Sequence, residues 1–379
     1  MNIVRRGFLA ASQIGYERVA QPIIFRSSAQ DAHERVIRLL ARLDSSPVLC
    51  GMLKELHNIT FDPCETMIGG AKLAYPLMLS AGMVKGHGFQ SEAEALEAAQ
   101  KGQNIIPGWR SVPRLVGLVE FGSFTRHPRM GNAGAIIWRD APTQSTQNRV
   151  GLKNPGAMAA AAFLAKHRAD LPAQFGINIA VSPGVVDVNQ EETEVLESVS
   201  AFLDQEILPT WLTLNVSCPN TEDDPNGRQT EAQTRQLCAA LVDYLKKRGC
   251  DVPVWVKISP GLAAEQYRIL MRVFHEVGVQ AVIATNTLGQ PVLDDLTVMA
   301  GVGGGKLHNC ALEAVQILMQ EKTRHDYAVD VIGCGGVLDG RTYQDFRACG
   351  VGAVQYWSAL IYRGPLAAAI MQNELNHVQ

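Results

Sequence analysis

The sequence predicts a (β/α)8 barrel of the TIM class with an N-terminal helical extension, and three observations carry that prediction. Eight short apolar runs alternate with helical stretches from about residue 76 onward. Buried strands separated by helices make a parallel sheet, and eight such units favour closure over an open doubly wound sheet. Polar or glycine residues cluster just after most of the runs, as they do at the active-site end of a barrel. The first 60 residues instead read as helices alone. A bare barrel needs about 250 residues. The 379 present are therefore divided into an extension over residues 1–65 and a barrel over residues 66–379 with long loops on the active-site face.

In chain order, residues 31–44 place Val36, Leu39, Leu40 and Leu43 at helical spacing, and residues 48–57 repeat the stripe with Leu49, Met52, Leu53 and Leu56. This amphipathic pair is expected to pack onto the rest of the chain. The sharper alternative is a mouth for an apolar ligand or an anchor on a membrane surface. Gly69-Gly70 reads as a hairpin turn between residues 66–68 and 71–75. The eight strands are expected at residues 76–80, 117–121, 174–180, 211–216, 254–258, 281–285, 329–333 and 353–357. Ser91 with Glu94 and Thr230 with Gln233 have capping-box spacing, Gly102 and Gly249 are helix stops, and residues 103–114 read as a loop.

Composition narrows the function classes. Hydrophobic residues at 47% and charged residues at 19% are globular values that exclude disorder and fibre. A net charge of -3 without a long basic run argues against nucleic acid as a partner. The eight cysteines lack any C-x-x-C spacing, so no structural metal is expected and the compartment is read as reducing. No run reaches the roughly 18 apolar residues of a membrane span. The expected location is the cytoplasm, with at most peripheral contact on the cytoplasmic face of a membrane. The 34 glycines exceed the roughly 7% of an average chain. They cluster late, at residues 301–305 and 333–336, where backbone could approach a ligand.

The strongest string is LNVSCPNT, residues 214–221, where a buried strand ends in Asn215, Cys218 and Asn220. Lys85 follows the first strand, Asn148 opens NRVGLKNPG, Lys257 ends the fifth strand, and Thr285-Asn286-Thr287 ends the sixth. Amides bond in both directions without charge, which suits a ring bearing alternating carbonyl and N–H groups; lysine suits an anionic substituent or an electron-rich cofactor edge. A pyrimidine carboxylate fits.

On these residues the chain resembles the dihydroorotate dehydrogenases, FMN-dependent barrel enzymes of pyrimidine synthesis, from about residue 30 to residue 370. The resemblance implies that dihydroorotate or orotate is held by Asn148, Asn215, Asn220, Asn286 and Thr287, with Lys85 near both substrate and flavin. It implies FMN against Ala81 and Gly82, with Ser123, Asn178, Asn215, Lys257 and Thr285 around the ring and ribityl chain. The FMN phosphate would meet backbone amides at Gly304, Gly335, Gly336, Trp357 and Ser358. Cys218 takes the place of the catalytic base. Ser123 stands where threonine is usual.

The family divides by electron acceptor into a soluble fumarate class, a class coupled to an iron–sulfur and FAD subunit, and a membrane-associated quinone class. Cys218 is typical of the first two, and GLKNPG resembles the second. The helical extension, Lys85 directly after the first strand and Asn148-Arg149 resemble the third. His33 and Arg139 fall where that class lines its quinone tunnel, and Trp357 replaces a tyrosine there. The expectation is quinone. Alternatives are a soluble acceptor, another dihydropyrimidine such as dihydrouracil as substrate, and a non-redox barrel that binds a phosphorylated metabolite. The oligomeric state is left open.

Overall fold

The computed structural model describes residues 3–217 and 231–378. Eight parallel strands close into a barrel: Leu77–Leu79, Leu118–Phe124, Gly176–Ala180, Trp211–Asn215, Val254–Ile258, Ala281–Ala284, Asp330–Cys334 and Ala353–Tyr356. Each pairs with its neighbours in chain order, and the eighth returns to the first. All eight lie at the expected positions. Side chains on both faces of these strands are buried almost throughout, which is why they read as continuous apolar runs rather than alternating ones.

Two indoles fill the bottom of the barrel. Trp211 and Trp255 stack with centroids 4.9 Å apart and both are fully buried. Gly176 makes this fit: a Cβ there would lie 2.2 Å from the Trp211 ring. The expected hairpin, Thr66–Ile68 with Ala71–Leu73, closes this end. Trp255 Nε1 donates to the Gly69 carbonyl at 2.8 Å, and the Gly69 N–H donates to Asp330 at 2.7 Å.

At the opposite end the structure adds something the sequence reading lacked. Ile137–Asp140, Ser145–Asn148, Leu288–Pro291 and Met299–Gly304 form a four-stranded antiparallel sheet over the rim. Residues 301–304, part of the late glycine cluster, are the last residues of one of its strands. Residues 103–114 are likewise not all loop: Val112–Val116 is a short helix with Pro113 in its first turn, a position where the missing N–H costs nothing.

The helical start is borne out. Ile3–Gly15 leads through Tyr16–Ala20 and Gln21–Ile24 to Ala29–Asp44 and Pro47–Thr60. Ser28 and Ser46 cap the last two by accepting from Asp31 N and Leu49 N. Ser91 caps Glu92–Gln100 in the same way, but the Glu94 side chain reaches the N–H of Gln90 instead of completing the box. Thr230 lies outside the described residues.

Asp44 ties the helices to the barrel. It is buried at the last position of its helix and accepts from Gly108 N, Ser111 N, Ser111 Oγ and Asn104 Nδ2 at 2.6 to 2.9 Å. An acid at a helix C-terminus opposes the dipole, so this position makes sense only through these donors. Asp44→Ala strands two buried N–H groups and is expected to cost about 3 kcal/mol in urea unfolding. An unchanged midpoint would show that the tie carries no energy.

A second tie joins the chain ends. Arg363 is buried between Glu17, at 3.2 Å, and Glu374, at 2.5 Å, while Tyr16 and Gln21 donate to the carbonyls of Ile361 and Tyr362. Ile3, Val4, Val48 and Met52 remain exposed. Among the described residues no helix is long and apolar enough to cross a membrane.

Candidate active site

The C-terminal ends of the barrel strands and the rim sheet enclose a cleft with about 1250 Å³ of empty space, its mouth included. From the first strand come Ala81, Gly82 and Lys85; from the second, Ser123; from the rim sheet, Asn148. Asn215 and Lys257 end the fourth and fifth strands, and Thr285, Asn286 and Thr287 follow the sixth. Gly304, Gly335, Gly336, Trp357 and Ser358 line the side formed by the last units, and His33 reaches in from its helix. These sixteen expected residues therefore share one cavity.

Four do not. Asn178 lies beneath the lining, fully buried, with Nδ2 donating to Glu120 at 2.8 Å and Oδ1 without a partner. Arg139 sits in a rim strand facing an adjoining groove with Ser28 to Asp31, Leu293 and Asp294. It donates to the Ser27 carbonyl and lies over the Phe25 ring, 4.2 Å from its centroid. Burial holds its guanidinium below the usual arginine range and pushes the neighbouring Tyr16 and Tyr362 hydroxyls up to about 12. Cys218 and Asn220 lie outside the described residues.

The amides are fixed by one network. Asn215 Nδ2 donates to Ser123 Oγ at 3.3 Å, and its Oδ1 accepts from the N–H and hydroxyl of Ser217 at 3.1 and 3.2 Å. The Ser217 hydroxyl, with one proton to share, also lies 3.0 Å from the Lys257 carbonyl, and Asn286 Nδ2 donates to the Ser217 carbonyl at 2.6 Å. Ser217 was not singled out in the sequence, although it sits between the two asparagines of the strongest string.

Electrostatics follow from composition. The described lining residues include Lys85 and Lys257 but no carboxylate, so the cleft suits an anion. Backbone N–H groups add to this at one side. Gly304 precedes the 21-residue helix Gly305–His325, and Gly304, Gly335 and Gly336 have φ of +85, +137 and +69°. A Cβ at Gly304 would lie 2.3 Å from the Gln144 carbonyl, and one at Gly336 2.6 Å from His308 Cβ. Backbone amides at a helix N-terminus with no side chain in the way suit an anion. Among the described residues no group of three His, Cys, Asp or Glu could hold a metal.

The sequence reading also missed Gln355, Thr146 and Cys334, which line the cleft. Gln355 is fully buried and accepts from Lys257 Nζ at 3.0 Å. Thr146 and Ser358 bond through their hydroxyls at 2.9 Å. Burial pushes the Cys334 thiol up, which makes it a packing group rather than a nucleophile. A polar residue inside an apolar strand run was the available signal for Gln355.

His33 is kept neutral. Burial, with Lys85 and Lys153 nearby, lowers its pKa from 6.5 to about 4. A group with a depressed cationic pKa leaves stability intact above pH 6.5 and removes it as pH falls, because the unfolded chain takes the proton first. At about 1.4 kcal/mol per unit, the wild type is expected to lose roughly 2 kcal/mol relative to His33→Gln between pH 7 and pH 5. Urea midpoints at both pH values check this. A constant gap would place the imidazole in water.

The family model described as "Dihydroorotate dehydrogenase" matches residues 64–378. A protein of Gloeobacter violaceus named dihydroorotate dehydrogenase (quinone) is 28% identical over 96% of this chain and 97% of its own. One of Salinispora arenicola with the same name is 29% identical over 92% and 96%. Among solved structures, DHODH from Eimeria tenella in complex with ferulenol superposes with a TM-score of 0.68 at 21% identity, covering 88% of this chain and 91% of that one. The last likeness concerns the fold.

Proposed function

The chain belongs to the dihydroorotate dehydrogenase family, and from that premise we propose that it oxidises dihydroorotate to orotate with FMN as its flavin and a quinone as electron acceptor. The family implies a flavin. The observation that carries the reading is the convergence, in one cleft without a described carboxylate, of two lysines, three amides and a glycine cradle from successive strand ends.

The residues fit an FMN. The glycine cradle at Gly304, Gly335 and Gly336 would take the phosphate, and Trp357 and Ser358 border it. Ala81, Gly82, Ser123 and Thr285 would hold the ring and ribityl chain. Lys257 offers a buried ammonium, and the unpartnered Asn178 Oδ1 is an acceptor in need of an N–H. Gly82, at φ +120° with Trp357 Nε1 3.4 Å from where its Cβ would be, leaves room for a flat ring. When bound, the flavin accepts a hydride equivalent from the substrate and passes the electrons on.

The chain's own groups do the rest. Asn148, Asn215, Asn286 and Thr287, with Asn220, orient the substrate ring, and the Lys85 ammonium takes its carboxylate. Asn215 and Asn286 come preorganised through Ser217, so little side-chain entropy is lost on binding. Cys218 is the proposed base that removes a proton from C5. A free thiol titrates near 8.5, and only a modest downward shift gives a thiolate near neutral pH.

Quinone as acceptor is supported by the relatives' names, by the helices that precede the barrel and by His33, which links those helices to the cleft. Exposed Ile3, Val4, Val48 and Met52 suit peripheral contact with a membrane surface, which we place on its cytoplasmic face. Arg139 would then act from the adjoining groove and not from the cleft wall. The decisive experiment is anaerobic: dihydroorotate should bleach the yellow protein, and a short-chain quinone should restore the colour. Recovery with fumarate or NAD but not with quinone would refute the acceptor; no bleaching would refute the substrate.

A further inference from the structure

Glu120 is fully buried in the second barrel strand, one layer below the cleft. Four donors from three other strands point at it. Asn178 Nδ2 reaches Oε1 at 2.8 Å; Trp211 Nε1, Thr213 Oγ1 and Gln355 Nε2 reach Oε2 at 2.9, 2.7 and 3.1 Å. A carboxylate only accepts, so it dictates which end of each partner faces it. The indole N–H has no choice. The two amides do, because asparagine and glutamine present a donor or an acceptor after half a turn.

Glu120 removes that choice, and both consequences lead toward the cleft. The Gln355 oxygen faces away from Glu120 and accepts from Lys257 Nζ at 3.0 Å. Lys257 is buried and lines the cleft. The Asn178 oxygen is left buried with no partner among the described residues, a costly state that calls for an occupant.

We propose that Glu120 is a positioning residue that sets the direction of two amides, so that Gln355 holds Lys257 and Asn178 keeps its oxygen for an N–H of the bound flavin. The inference rests on the flavin reading of the cleft. It concerns a residue that touches neither substrate nor cofactor and acts through Gln355 and Asn178.

Glu120→Gln replaces one acceptor oxygen by an NH2, which faces Asn178 Nδ2 at the Oε1 place or three donors, Gln355 among them, at the Oε2 place. The least costly relief is for Gln355 or Asn178 to turn, which exchanges acceptor for donor at the layer above. A released Lys257 then favours the electron-rich reduced flavin. The reduced-to-oxidised equilibrium of bound FMN should move about tenfold toward reduced, a rise of about 30 mV for a two-electron couple. Gln355→Met frees Lys257 while Glu120 keeps its charge and three donors, and should shift the potential in the same direction. Because both act by one route, the double variant should shift it by less than the sum.

The measurement is a dye-referenced redox titration of the holoprotein, with the FMN dissociation constant and the melting temperature beside it. Unchanged potential and FMN affinity in E120Q, even with a lower melting temperature, would make Glu120 purely structural and overturn the proposal. Additive shifts would overturn the shared route. Should E120Q not accumulate as folded protein, Q355M decides alone by a rise or by no change. A wild-type protein that bound no flavin would overturn the reading of the cleft as well, which sets that failure apart.

Discussion

Replacing Cys218 by alanine is expected to leave the protein yellow and slow its bleaching by dihydroorotate by about 10² to 10⁴, the usual contribution of a positioned general base. Oxidation at C5 and C6 of the substrate needs a proton removed from C5, and the described lining of the cleft offers no carboxylate. Its imidazole, His33, belongs to the extension and is pushed down to about 4, so it is free to accept a proton but is a weak base. Lys85 and Lys257 are cations committed to anionic or electron-rich partners. The resemblance assigns this role to Cys218, which directly follows the anchored Ser217 in sequence. Cys218→Ser should be nearly as slow at neutral pH, because a hydroxyl needs a relay to lose its proton, and should recover partly as pH rises. Stopped-flow bleaching under anaerobic conditions reads both variants, and a bound flavin spectrum shows that the site survived. Bleaching by C218A at the wild-type rate would move the base elsewhere.

The second large effect is expected at Gly336. Its backbone has a φ of +69°, and a Cβ added there would lie 2.6 Å from His308 Cβ and 2.8 Å from the Gly304 carbonyl, which leaves no room for alanine. Gly336→Ala should push the loop away from the helix that begins at Gly305. A phosphate held there would lose one or two charge-assisted hydrogen bonds, each worth about 1.5–3 kcal/mol, and FMN affinity should fall by about 10² or more. Riboflavin, which lacks the phosphate, is the internal control: its weaker binding should be nearly unchanged. Equal losses for both ligands would show a damaged ring site, and no loss for either would remove the phosphate from this cradle.

Much of this was legible in the chain. The eight barrel strands are buried on both faces, so each reads locally as an apolar run, and the run over residues 254–258 is matched residue for residue by Val254–Ile258. The chemistry at their ends was legible for the same reason, since Lys257 and Asn215 stand where burial would otherwise forbid them. The rim sheet was not legible. Ser145–Asn148 is polar and pairs with Met299–Gly304, a segment remote in sequence, and Leu288–Pro291 is an edge strand that ends in a residue strands avoid. Asn178 is the opposite case: its residue type matched a ligand-binding role, but its depth was invisible until Glu120 was seen beside it. Arg139 was assigned to the tunnel by likeness, and the Phe25 ring and the Ser27 carbonyl hold it in a groove that adjoins the cleft. Glu120 itself carried a signal, an acid within LVEFGSF, because a charge in a doubly buried strand demands partners.

The rim sheet also fixes when the cleft can exist. Its central pairing joins Ser145–Asn148, an excursion after the second barrel strand, to Met299–Gly304, an excursion after the sixth. Contacts between such distant segments are slow to form, because loop closure is opposed by chain entropy until the intervening structure brings the ends together. Barrel units one to five, each adding a strand beside its predecessor, can assemble locally as the chain emerges from the ribosome. The wall that carries Asn148 and Thr146 cannot be completed until the sixth unit is made. Ligand binding is therefore a late event in the life of each molecule and reports that nearly the whole chain has folded.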